Sequence, residues 1–228
     1  MLPGLSVERA PPLTVPLRFL LTAPWFGVLA GALLLWSGPQ AFASRWQPAL
    51  LAITHLLTLG LMAHAMLGAL LQLLPVVAGT PVPHNRTVAA IVYPALLGGT
   101  LSLSAAFLFA EAWLFRGAAV LLGVAIALYV TAALLGFLRS RPIDAAARTL
   151  ALAVLGLAVT AALGVELASA FGWHRALPLT ALIDLHAAWG LIGWTALLAL
   201  AAGIVLVPMF HVTPAFPTWA RRALGVGM

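Results

Sequence analysis

The sequence predicts an all-α membrane protein, a polytopic bundle of six transmembrane helices, and three observations carry that expectation. Of its 228 residues, 64% are hydrophobic and only 7% are charged, and the mean hydropathy is +1.12. A soluble domain of this length needs far more charge to cover its surface. Six apolar stretches each reach the roughly 20 residues that cross a hydrocarbon core. The turn formers and charges collect in short segments between those stretches.

The spans are expected at about 16–37, 48–78, 87–110, 114–138, 148–171 and 180–209. "SGPQ" at 37–40 ends the first. "GTPVPHNR" at 79–86 separates the second from the third, and "AEAWLFR" at 110–116, the weakest break, separates the third from the fourth. "RSRPIDAAAR" at 139–148 and "GWHRALP" at 172–178 close the list. The first span begins after Arg9 and Arg18 and is followed by Ala41-Phe42-Ala43, the outline of a cleaved signal. Its apolar run is longer than a typical signal core, so it is expected to remain as a span.

The chain therefore divides into a short segment at 1–15, a membrane domain at 16–211 and a tail at 212–228. All eleven positive charges are arginine, spread over the loops without the dense basic block that binds nucleic acid. With the N-terminus inside, Arg9, Arg18, Arg86, Arg139, Arg141, Arg148, Arg221 and Arg222 face the cytoplasm, and Arg45, Arg116 and Arg175 face outward. This bias predicts cytoplasmic N- and C-termini in a bacterial inner membrane. Without cysteine, disulfides, thiolate metal sites, iron–sulfur clusters and covalently attached c-type haem are excluded. Any cofactor must be held by His, Met, carboxylate or packing.

The stretch "THLLTLGLMAHAMLGALLQLLPVV", Thr54 to Val77, places His55, His64, Met62, Met66 and Gln72 in an otherwise hydrocarbon run. The last span carries His186. Both spans enter from the outer side, and both histidines lie about 10 Å deep at 1.5 Å per residue. Level imidazoles on parallel helices suit one haem iron gripped from two sides, or two haems held singly. At about 100° per residue, Leu59, Met62 and Met66 follow the His55 direction as an apolar, polarizable stripe. Trp189, Gly190 and Gly193 follow His186 on its face, either as room for a flat macrocycle or as ordinary helix packing.

The two spans also share a plan, with His followed by Gly and, some twenty residues on, by Pro75 or Pro208. A weak repeat and coincidence in Ala/Leu-rich sequence both account for it. His64 falls about half a turn around from His55 and roughly 13 Å deeper, so the two cannot share an ion. A structural role, a second cofactor or a proton relay is open to it, and Gln72 extends the same side. His211, beyond Pro208-Met209-Phe210, belongs to the opposite interface, and His84 and His174 fall in turns as surface groups. Glu166 and Asp184 lie near the depth of the pair, as partners for an imidazole N–H, a proton path or a salt bridge to Arg175. Arg45, Arg116 and Arg175 are the cations available to haem propionates.

"THLLTLGLMAHAMLGALLQLLPVVAG" and "DLHAAWGLIGWTALLALAAGIVLVPMFHVTP" resemble the histidine-bearing helices of the haem–copper oxidase superfamily, in particular small bacterial proteins similar to a truncated catalytic subunit. The likeness rests on His55, Gly60, Gln72 and Pro75, and on His186, Gly190, Gly193-Trp194 and Pro208-Met209-Phe210. It implies b-type haem, one or two, ligated by His55 and His186. The adjacent histidines and copper cluster of the full subunit have no counterpart here, so the resemblance does not extend to oxygen reduction with proton pumping.

These features together predict a membrane haem protein, a haem-dependent oxidoreductase in electron transfer or in binding or reducing a diatomic gas such as nitric oxide or oxygen. A quinol or a periplasmic donor is then the expected partner besides the lipid bilayer, and the Ala- and Gly-rich helices suit self-association. The alternatives are a copper-handling protein using His64 with Met62 and Met66, or Met209 with His211, and a cofactor-free transporter or assembly factor whose histidines gate protons.

Overall fold

The computed structural model describes residues 10–140, 145–217 and 219. Arg9, Arg141, Arg221, Arg222 and most of the 212–228 tail lie outside the described residues. Six helices are long and apolar enough to cross a membrane. We number them α1 (Thr14–Ser37), α2 (Pro48–Val76), α3 (Asn85–Phe109), α4 (Ala112–Arg139), α5 (Ala145–Gly172) and α6 (Leu179–His211). Their bounds fall within a few residues of the sequence expectation, and no strand occurs among the described residues.

Local chemistry sets the breaks. Gly38, at φ 59°, ends α1 in a left-handed conformation that glycine adopts without a Cβ clash. Gln47 is extended and Pro48 opens α2, where a missing N–H and a fixed φ suit the first helical turn. The faint break between α3 and α4 is made by one residue, Ala110, at φ 56°, followed by an extended Glu111. His84, His174 and Val212 are also left-handed, at φ 50°, 51° and 52°, so every later helix junction contains such a residue or a proline.

Short connections make neighbours in sequence neighbours in space. α3 packs on α4, α4 on α5 and α5 on α6, while α1 and α2 pack together and α2 also meets α3. α4 is the most enclosed helix; α1 and α6 are the least. The main core joins Leu67, Leu70, Leu71 and Leu74 of α2 to Val92 and Leu96 of α3, Leu122 and Ile126 of α4, and Leu150 and Val154 of α5. Tyr129 is fully buried within it, and its hydroxyl donates to the Leu67 carbonyl at 3.0 Å, which meets the demand of a buried phenol for a partner.

One departure from expectation matters for the site. α2 and α6 are not uniform α-helices: Leu56–Ala63 and Trp189–Ala196 are π-helical. In these turns the hydrogen bonds reach five residues rather than four, so each turn holds an extra residue. The stripe from His55 through Leu59, Met62 and Met66, drawn at constant 100° steps, is therefore not continuous. Leu59 and Met66 instead pack, half-buried, against the main core.

Candidate functional site

His55 closes the regular first part of α2, directly before the wide turns. Its ring nitrogen Nδ1 lies 2.7 Å from the Leu51 carbonyl, one turn back. A carbonyl only accepts, so Nδ1 carries the hydrogen and Nε2 keeps its lone pair. The ring packs at 5.1 Å from Phe107 of α3, tilted by 31°. From there a row of aromatic rings continues through Phe115 of α4, at 5.3 Å, to Phe171 of α5, at 5.2 Å.

His186 reaches the same tautomer by another route. Its Nδ1 lies 3.0 Å from the carbonyl of Thr160, which belongs to α5. Nδ1–H is again the donor and Nε2 again the free atom. Metal-bound histidines are oriented in this manner, with the second ring nitrogen held by a carbonyl or carboxylate. Both imidazoles are half-buried. α6 packs along α5, whereas α2 and α6 have no comparable packing against one another. The two histidines thus stand on helices that pack on the rest of the bundle rather than closely on each other.

A stripe on α5 places His186. Gly156, Thr160 and Gly164 recur every four residues and share one face of that helix. A methyl group on Gly156 would collide with the Gly193 carbonyl of α6. A Cβ on Gly190 would meet the Thr160 Cγ2 at 3.3 Å, and one on Gly164 would stand 2.9 Å from His186 Cε1. The antiparallel pairs Gly156 with Gly193, Thr160 with Gly190, and Gly164 with His186 form one close-packed line. Gly190 and Gly193 therefore serve helix contact with α5, the packing alternative, and Trp189 lies along its own helix over Gly193.

The charged groups pair among themselves. Arg45, in the α1–α2 connection, bonds Asp184 of α6 at 2.5 Å and lies with its guanidinium carbon 4.6 Å from the Trp46 ring centre. Arg175 bonds Glu166 at 3.0 Å. Both bridges are about half exposed. The Arg45–Asp184 bond ties the segment before α2 to the start of α6. Arg116 is exposed at the same end, its stem against Gly172, with no hydrogen-bond or ion-pair partner among the described residues.

The remaining candidates lie elsewhere. His64 is fully buried between α1 and α3, on a different set of neighbours from His55. His84, His174 and His211 are exposed, and Met62 and Met209 are half-buried. Among the described residues no three His, Asp or Glu side chains converge on a point.

Sequence reading missed the α5 stripe and the Thr160 carbonyl. The spacing of Gly156, Thr160 and Gly164 was a usable signal, since small residues at every fourth position mark close helix contacts in membranes. No family model, curated protein or solved structure matches the chain.

Proposed function

We propose that this chain is a membrane b-type haem protein, with the Nε2 atoms of His55 and His186 as the two axial ligands of one iron and electron transfer as its role. The observation that carries this reading is the shared tautomer: two half-buried imidazoles, each with Nδ1–H held by a backbone carbonyl and Nε2 left with its lone pair. Their near-equal depth on spans that enter from one face supports one shared iron over two separate haems. A porphyrin bound there would supply one-electron exchange. The chain's part is to fix the ring orientations from Leu51 and Thr160, to exclude water with Phe107 and the α5 face, and to present Arg116 to an acidic edge. Two protein ligands leave no position for a gas molecule, so gas binding is the weaker role.

The arginine distribution supports a bacterial inner-membrane setting with His55 and His186 toward the outer face, where a quinol or a periplasmic donor would exchange electrons. The test is the absorption spectrum of protein produced with ample haem, together with pyridine-haemochrome quantification. Wild type is expected to bind about one haem per chain and to show no carbon monoxide shift. His55→Ala and His186→Ala are each expected to lose most of it. A colourless wild-type protein overturns the reading; a carbon monoxide shift restores the gas-binding role.

A further inference from the structure

The third intramembrane histidine carries an inference of its own. His64 has no exposed surface. It lies in one layer with residues of α1 and α3: the ring centres of Phe26, Phe19 and Tyr93 are 5.0, 6.2 and 6.4 Å away. Glycines bring that layer together, because a Cβ on Gly60 would collide with the Phe26 side chain and one on Gly68 would stand 2.9 Å from Phe19 Cβ. In the wide turn of α2 the Leu59 carbonyl, five residues back, receives the His64 Nδ1–H at 2.9 Å. Nε2 therefore has a lone pair, is buried, and has no hydrogen-bond partner. A buried acceptor left in that condition costs about 1–3 kcal/mol.

The neighbouring bonds fix what kind of partner Nε2 would take. The Thr22 hydroxyl gives its single hydrogen to the Arg18 carbonyl at 2.8 Å. In the 2.9 Å contact between Thr22 and Tyr93 the donor must then be Tyr93. The phenol oxygen retains only acceptor capacity. Gln72 Oε1, two turns further along α2, is a second buried acceptor without a partner. The layer is rich in acceptors and short of hydrogens. No charged side chain supplies one: on α1 the nearest cation, Arg18, is half-buried and directs Nε back to the Thr14 carbonyl of its own helix. On α3 the facing group is Tyr93, and on α4 the Tyr129 hydroxyl is committed to Leu67.

We propose that this layer is a buried water site, in which a water molecule donates one hydrogen to His64 Nε2 and the other to the Tyr93 oxygen. Water is the small donor that satisfies two acceptors at once, and buried waters occupy polar sites of this kind. The imidazole stays neutral, with Nδ1–H on the Leu59 carbonyl and Nε2 on the water, so no charge is buried.

The experiment is nitrogen NMR of the full chain, labelled with 15N-histidine, in lipid nanodiscs. The His64 signal is identified by its loss in His64→Gln. The expected result is a protonated Nδ1, an Nε2 shifted as a hydrogen-bonded acceptor, and magnetisation transfer from water to that nitrogen. Tyr93→Phe is expected to weaken the transfer about tenfold, the effect of losing one bridging bond. An Nε2 signal of a bare lone pair without water transfer in the wild-type protein overturns the proposal, as does equal transfer in Tyr93→Phe. The measurement needs no iron and does not involve His55 or His186, so its outcome is independent of the haem reading.

Discussion

His55 and His186 present the same free nitrogen, yet the two halves of the molecule hold them differently. His55 is oriented from within its own helix, by the carbonyl of Leu51 four residues earlier. His186 is oriented from outside, by the Thr160 carbonyl of α5. The first arrangement survives any motion of α2 as a rigid body. The second exists only while α6 stays against the Gly156, Thr160 and Gly164 stripe. Regular helix geometry suffices to build one half of the site, and close packing between helices is required for the other.

Perturbing the α5 stripe should therefore damage His186 and spare His55. The largest effect is expected from Gly156→Leu, which places a branched side chain against the Gly193 backbone. Forcing the helices apart should cost about 3 kcal/mol, seen as a lower melting temperature in detergent and, on the proposed haem reading, as loss of the His186 contribution to the absorption spectrum. Gly164→Ala is milder. Its methyl group would stand 2.9 Å from the His186 ring, which must tilt, at about 1–2 kcal/mol, and on the same reading the expected readout is an altered signature in low-temperature electron paramagnetic resonance.

Thr160→Ala sharpens the contrast further. The bond to His186 comes from the Thr160 main chain, so the spectrum should be unchanged and the stability loss confined to about 1 kcal/mol for the hydroxyl bond to Gly156. A large spectral change there would mean that the side chain, rather than the carbonyl, holds the ring. The smallest effect is expected from Asp184→Asn. Its bridge to Arg45 is more than half exposed on both sides, and exposed pairs contribute about 1 kcal/mol or less. The difference from wild type should shrink further as salt is raised.

How much of this was legible in the sequence follows from the same division. The six helices, their order and nearly all their ends could be read, because hydropathy and turn residues are local. Even the faint junction between α3 and α4 was placed within a few residues, although the left-handed Ala110 that makes it carries no glycine or proline signal. That His55 and His186 lie near the same end of their helices was reachable from sequence position alone. The π-helical segments were not: an extra residue per turn leaves no mark on an Ala/Leu-rich pattern, so the stripe drawn below His55 was carried on too regularly. The bonds to Thr160, the box around His64 and the Arg45–Asp184 link each depend on which helices meet, and composition does not encode that.

The wide turns separate the two ends of each histidine helix. Adding one residue to a regular helix rotates everything beyond it by about 100°, and Leu56–Ala63 and Trp189–Ala196 are where α2 and α6 absorb such a change. The phase of the Pro75 and Pro208 halves is therefore set independently of the imidazoles above them. A lineage of this protein could re-aim its far-side surfaces through insertions or deletions within those eight-residue stretches and leave the placement of His55 and His186 untouched.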